Sequence, residues 1–326
     1  MQYSVNQAAV RLVKDAIARS EEMQITSWQA ECGSTLVDMG LDCPGSWKAA
    51  KVFIEAGLGG MGTADFGHFE LGSFCLPAIN VWTDHPVLAV VASQAGCWQL
   101  GEGEFAVVGS GPARAVALAD RWSQHGYRDE AADEVVIQLQ TTRIPNDDLC
   151  TEVARACNVP PEKVYVVFAP TASLVGTAQV ASRTVEQVMI KLLYHGFDVH
   201  TVRTAFGTAP VSPLSRDETE AVGRANDCLV YGATTVLYAD TSDEAIQAIL
   251  AKLCFDVYAG EYWGMPFAEI FDHFGRNWFA VPDVIDSPAK VIINSLQTGH
   301  SFLGGQINRQ ALHRSFFGTD LPDIAS

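Results

Sequence analysis

The stretch from Val167 to Gly196, V-F-A-P-T-A-S-L-V-G-T-A-Q-V-A-S-R-T-V-E-Q-V-M-I-K-L-L-Y-H-G, constrains the chain more than any other. An apolar run short enough for one buried strand passes through a Ser/Thr/Gly loop into a segment of helical periodicity. Val185, Val188, Met189 and Leu192 recur on one stripe, so the spacing predicts a helix after Gly176 that buries that side. Arg183 and Glu186, three residues apart, then share a polar side, and a guanidinium beside a carboxylate is the candidate for chemistry. The same grammar runs through the chain. E-V-V-I-Q-L-Q-T and V-Y-V-V-F read as strands, while D-D-L-C-T-E-V-A-R-A-C and D-E-A-I-Q-A-I-L-A-K-L read as amphipathic helices. Strands alternating with helices predict an α/β fold.

The first 22 residues place Val5, Ala9, Leu12, Val13, Ala16 and Ile17 at helical spacing, with Ser4 or Asn6 as the cap. Ile25 to Met39 reads as a pair of strands, Lys51 to Ala56 as another, and 289–302 as a hairpin. At 326 residues and 48% hydrophobic composition, there is material for two packed domains.

A net charge of −17 sets a field that repels nucleic acid and anionic lipid, so neither is an expected partner. An anionic small molecule would need local arginines or backbone N–H groups. No apolar run is long enough to span a membrane, and M-Q-Y-S-V-N-Q-A-A-V lacks the blocks of a signal peptide, which predicts a cytosolic protein. The eight cysteines form no C-x-x-C pair and read as free thiols, without a zinc pattern.

Four further places can carry a site. Gly57-Leu58-Gly59-Gly60-Met61-Gly62 matches G-x-G-x-x-G, but a strand-like segment follows where a dinucleotide fold needs a helix, so close packing at a turn is the expected use. Asp84 and His85 sit in a loop before Pro86, either at a site edge or as a helix cap and its neighbour. Gly109-Ser110-Gly111-Pro112-Ala113-Arg114 joins a strand to a helix expected through Trp122. It is an anion cradle built on Arg114, or simply a tight turn. Arg224, Asn226 and Asp227 form a polar group that is hard to explain as core and equally compatible with a hydrogen-bonded turn.

With G-S-G-P-A-R-A, T-D-H-P, A-P-T-A-S-L-V-G, S-R-T-V-E and G-R-A-N-D-C-L-V-Y-G in order, the chain resembles the methenyltetrahydromethanopterin cyclohydrolase family, from S-V-N-Q-A-A to G-Q-I-N. The resemblance implies a cytoplasmic homo-oligomer, usually a trimer, with two α/β domains and a deep pocket between them. We expect one domain from residues 1–80 with 220–326 and another from 81–219. The resemblance also implies no metal and no bound cofactor, with tetrahydromethanopterin or a related form as the substrate carrier.

The implied reaction is reversible hydration of the methenyl bridge to the formyl pterin. Glu186 matches the family's catalytic glutamate and would move the proton, assisted by Arg183. Asp84, Ser173 and Asn226 are assigned to the pterin ring, and Arg114 and Arg224 to the anionic tail. If a second domain closes over Arg183 and Glu186, their face is buried. The bland reading of R-x-x-E is an exposed ion pair. The rival functions are a pterin-binding carrier or sensor without turnover and, more remotely, a metal-dependent hydrolase, whose H-x-H or H-E-x-x-H ligands are missing.

Overall fold

The structure, a computed structural model, describes residues 3–276, 280–281 and 287–321. In chain order its first half comprises α1 (Val5–Ala18), α2 (Ser20–Met23), β1 (Thr26–Gln29), β2 (Thr35–Asp38), α3 (Trp47–Gly57), β3 (Thr63–Leu71), β4 (Phe74–Thr83), β5 (Trp98–Leu100), β6 (Val107–Ser110), α4 (Arg114–Ala117), β7 (Val135–Gln140) and α5 (Asp147–Cys157). The second half comprises β8 (Val164–Ala169), α6 (Leu174–Ala181), α7 (Thr184–Tyr194), β9 (Val202–Pro210), α8 (Glu218–Val230), β10 (Thr234–Ala239), α9 (Asp243–Leu250), α10 (Phe255–Tyr258), α11 (Phe267–His273), β11 (Lys290–Ser295), β12 (Ser301–Gly305) and α12 (Arg309–Phe317).

The chain divides into two compact units, one holding residues up to Thr63 with His85–Gln179, the other Ala64–Asp84 with everything from Val180 on. Both are discontinuous: one break, between Asp84 and His85, falls close to the expected boundary at 80, and the others lie at 63/64 and 179/180. The hairpin β3–β4 leaves the first unit because β4 pairs antiparallel with β9, from Ala78 opposite Pro210 to Thr83 opposite Ala205.

The first unit is a mixed sheet in the order β1-β2-β8-β7-β6-β5, with β2, β8 and β7 parallel. Of the two expected caps, Ser4 or Asn6, it is Ser4 that caps α1, accepting the Gln7 amide. The segment 51–56 is helix, not strand. Ser46 caps α3 at Ala49, and Ala49, Ala50, Phe53, Ile54 and Gly57 form a buried stripe that starts before the apolar run. A short apolar run alone does not separate the two states. The glycines that follow α3 make a tight turn: Gly59 and Gly60 have φ of 63° and 66°, and a Cβ on Gly59 would lie 2.6 Å from that of Val5.

The second unit is also mixed, in the order β12-β11-β10-β9-β4-β3, with β10 and β11 parallel. The expected hairpin at 289–302 is β11–β12, with Asn294 opposite Ser301. One face of this sheet is covered by α7 and α9. Near the β3–β4 turn, α8, α10, α11 and α12 close a second core around Tyr231, Phe255 and Phe267, each at most 1% exposed. Both units are α/β. Among the described residues no helix is long and apolar enough to cross a membrane.

Candidate functional site

The helix expected after Gly176 is two helices. α6 ends at Ala181 and α7 begins at Thr184, just after the chain enters the second unit. Arg183 is therefore the N-cap residue of α7 (φ −80°, ψ 15°) and Glu186 lies in its first turn. The anchor of α7 is the predicted stripe. Val185, Val188, Met189 and Leu192 are all fully buried, each worth roughly 1.5–3 kcal/mol. That stripe holds α7 against β9 and β10, and the polar side is carried with it.

Arg183 Nη1 lies 3.7 Å from Glu186 Oε2, and each side chain is 15% exposed, well short of a pair in bulk water. The positive end of the α7 dipole lies under the carboxylate. A carboxylate beside a guanidinium, both largely withdrawn from water, can take up and return a proton while the cation steadies negative charge on oxygen.

The other expected site residues fall in different settings. Asp84 is exposed at the end of β4 and accepts from Thr204 Oγ1 at 2.9 Å, so it does not cap the π-wound turn at Val87–Gln94. Ser173 is 8% exposed. Its Oγ donates to the Pro170 carbonyl at 2.7 Å and accepts the Gly176 amide at 3.0 Å, which locks the loop between β8 and α6. Gly40 packs against it, for a Cβ there would stand 2.6 Å from Ser173 Oγ.

Arg114 is not an open anion cradle. It is fully buried; Nε and Nη2 donate to Asp120 at 2.8 Å each, and Nη1 donates to the carbonyls of Val91 and Ser93 at 3.1 Å. The helix expected through Trp122 stops at Ala117, since Leu118 turns left-handed at φ 48° and brings Asp120 back to Arg114. The sequence carries no spacing signal for Asp120 as this partner.

Arg224, Asn226 and Asp227 lie within α8 rather than in a turn. Arg224 Nη2 donates to Glu220 at 2.7 Å, while its Nε is buried without a hydrogen-bond partner among the described residues. Asn226 donates to the Val222 carbonyl at 2.8 Å. Asp227 is fully buried and ties three helices together. Its Oδ1 accepts the Phe267 amide at 2.9 Å and its Oδ2 the Ser315 hydroxyl at 2.6 Å.

Burial pushes the Asp227 carboxyl up to about 7, against the pull of those two donors. Between the ordinary carboxylate range and pH 7 the folded chain therefore keeps a proton that the unfolded chain releases. Stability contributed here falls as pH rises through that window and levels off above it. Spread from 3.8 to about 7, the effect is on the order of 4 kcal/mol. Asp227→Asn should flatten this slope, seen as a smaller difference in urea midpoint between pH 4.5 and pH 8 than in the parent chain.

Of the expected residues, then, Arg183 and Glu186 meet, and with Asp84, Arg224 and Asn226 they belong to the second unit, whereas Arg114 and Ser173 belong to the first. A family model described as "Cyclohydrolase (MCH)" matches residues 4–316. The methenyltetrahydromethanopterin cyclohydrolase of Methanothermobacter marburgensis is 36% identical over 322 residues, covering 96% of this chain and 99% of its own. That of Methanocaldococcus jannaschii is 35% identical over 325 residues, covering 98% and 99%. That of Methanococcus maripaludis is 36% identical over 321 residues, covering 96% and 98%. The match runs through both units, so the chain belongs to the cyclohydrolase family.

Proposed function

We propose that this chain reversibly hydrates the methenyl bridge of 5,10-methenyl-tetrahydromethanopterin, or of a form lacking its tail groups, to the 5-formyl pterin. The observation that carries the reading is the end-to-end likeness to relatives bearing that activity in their names, with Arg183 and Glu186 paired at the head of α7. The methenyl carbon sits in a delocalised amidinium cation and is already electrophilic. Glu186 takes a proton from the attacking water and returns it to the nitrogen that leaves as the ring opens. The second water proton passes to solvent as the formyl carbonyl forms, so the cation becomes a neutral product with release of one proton. Arg183 orients the water and steadies the oxygen of the tetrahedral intermediate. The carrier is the substrate, and the proposal includes no resident cofactor or metal.

Asp84 and Asn226 go with the pterin ring, whose edge wants paired donors and acceptors. Arg224, whose Nε lacks a protein partner among the described residues, goes with the anionic tail. Ser173 is left as the lock of the loop between β8 and α6 in the first unit. Arg114 drops out of the binding set, because its donors are engaged inside the first unit. A single assay tests the reading. Added protein should abolish methenyl-pterin absorbance with at least one of the two carriers, and no change with either overturns it.

Homo-oligomerisation belongs to the same reading and is supported by the open face of the second sheet. Trp82, Phe206, Val236, Ile292 and Leu303 stand in register across five strands, a row about 19 Å long. Trp82, Phe206 and Leu303 are 42%, 38% and 62% exposed. A charge-free apolar row in a chain of net −17 suits a second copy of itself, because self-association through a charged face would repel. Phe206→Asp should reduce the sedimenting species to single chains. A parent protein that already sediments as a single chain overturns the proposal. A cytosolic location accords with this reading.

A further inference from the structure

We propose that Gly207 and Thr235 form a seat that fixes the first turn of α7, and through it the separation of Arg183 from Glu186. The proposal rests on the reading of Glu186 as the proton-transferring group.

Gly207 on β9 and Thr235 on β10 are direct cross-strand partners on the covered face of the second sheet. Both touch the same residue of α7. Thr235 is fully buried, and its Oγ1 donates to the Thr184 carbonyl at 3.1 Å. A buried strand hydroxyl without a partner would cost about 1–3 kcal/mol, so this bond is a strong constraint on where that carbonyl stands.

Gly207 acts by what it lacks. A Cβ there would lie 1.8 Å from Thr184 Oγ1, 2.8 Å from Thr184 Cβ and 3.1 Å from Val185 Cγ2. Gly207 is not among the glycines of positive φ, so its backbone would accept a side chain, and the approach of α7 is what excludes one.

Thr184 is itself 1% exposed, and its own Oγ1 has no hydrogen-bond partner among the described residues. Shape at Gly207 and the Thr235 bond to the main chain, not the Thr184 hydroxyl, hold the turn. Residue 184 lies between the two functional side chains, one position after Arg183 and two before Glu186. Any tilt or lift of the first turn at this point therefore moves the guanidinium and the carboxylate relative to bound substrate. Misplacement by about 1 Å can cost about 10²-fold in rate. Gly207 and Thr235 touch no reacting atom on this account and are positioning residues.

The test uses the whole chain and the methenyl-absorbance assay. Thr235→Val should lower kcat about 10- to 100-fold with KM within about twofold, and should shift the acid limb of the kcat–pH profile, because the carboxylate sits differently against its guanidinium. Thr235→Ser, which keeps the donor, should restore both. Gly207→Ala should lower kcat at least as much, and if that variant does not fold the Val and Ser pair decides alone. Folded Thr235→Val with parental kcat and pH profile overturns the seat, as does a loss that Thr235→Ser fails to restore. Glu186→Gln is run alongside. Near-parental turnover there overturns the role of Glu186 and the seat with it, whereas an inactive Glu186→Gln with an unaffected Thr235→Val overturns the seat alone.

Discussion

Glu186→Gln is expected to slow loss of methenyl-pterin absorbance by about 10²–10⁴-fold, the range for removal of a positioned proton-transfer group. The substitution keeps the size and shape of the side chain and deletes only its basicity. Its cost to the fold should be small. The carboxylate at the head of α7 contributes about 0.3–1 kcal/mol through the helix dipole, and its 3.7 Å contact with Arg183 adds a comparable amount. The circular dichroism spectrum and pterin affinity should therefore match the parent chain. Near-normal turnover would remove Glu186 from the mechanism and return the pair to a structural role.

The second large effect lies away from the chemistry. Arg114→Ala should destabilise the protein by about 3–5 kcal/mol, because it strands a carboxylate that is only 6% exposed. The Trp122 and Ser123 amides still donate to Asp120 Oδ1, at 3.0 and 2.9 Å, and should keep the loss towards the lower end. Against typical stabilities of about 5–15 kcal/mol this is a major fraction. Urea unfolding of Arg114→Ala, Asp120→Ala and the double variant should show the double losing less than the sum, as a coupled pair requires. The Michaelis constant of folded Arg114→Ala should match the parent and respond to salt in the same way. A raised constant at unchanged stability would restore Arg114 to the tail site.

These two residues show where reading a sequence succeeds and where it stops. Both arginines stand near a glycine turn or loop and look alike in sequence. Arg183 keeps its carboxylate three positions away, a local relation set by helical pitch, and the structure brings the two together at the head of α7, just after a helix break the sequence did not announce. Arg114 meets its carboxylate only because Leu118 reverses the chain, a turn that a non-glycine residue seldom makes and that composition does not announce. Lys51 to Ala56 fails for a related reason. Its apolar run is too short to distinguish strand from helix, and the deciding Ser46 cap and Ala49–Ala50 contacts lie before it.

By itself the sequence determined the α/β class, the buried stripe of α7, a cap for α1 at Ser4 or Asn6 and the Arg183–Glu186 pairing, all consequences of spacing over a few residues that each local backbone geometry enforces. Only the tertiary structure decided which unit the β3–β4 hairpin joins, that Arg114 is sealed against Asp120, that Asp227 is a buried knot of three helices, and that Gly207 and Thr235 meet under Thr184. Of those contacts the Asp227–Ser315 bond spans 88 positions, and the β4–β9 pairing that claims the hairpin, Ala78 opposite Pro210, spans more. The lost loop entropy of such contacts is offset by packing that forms only once whole sheets and helices are in place, so no local pattern encodes them.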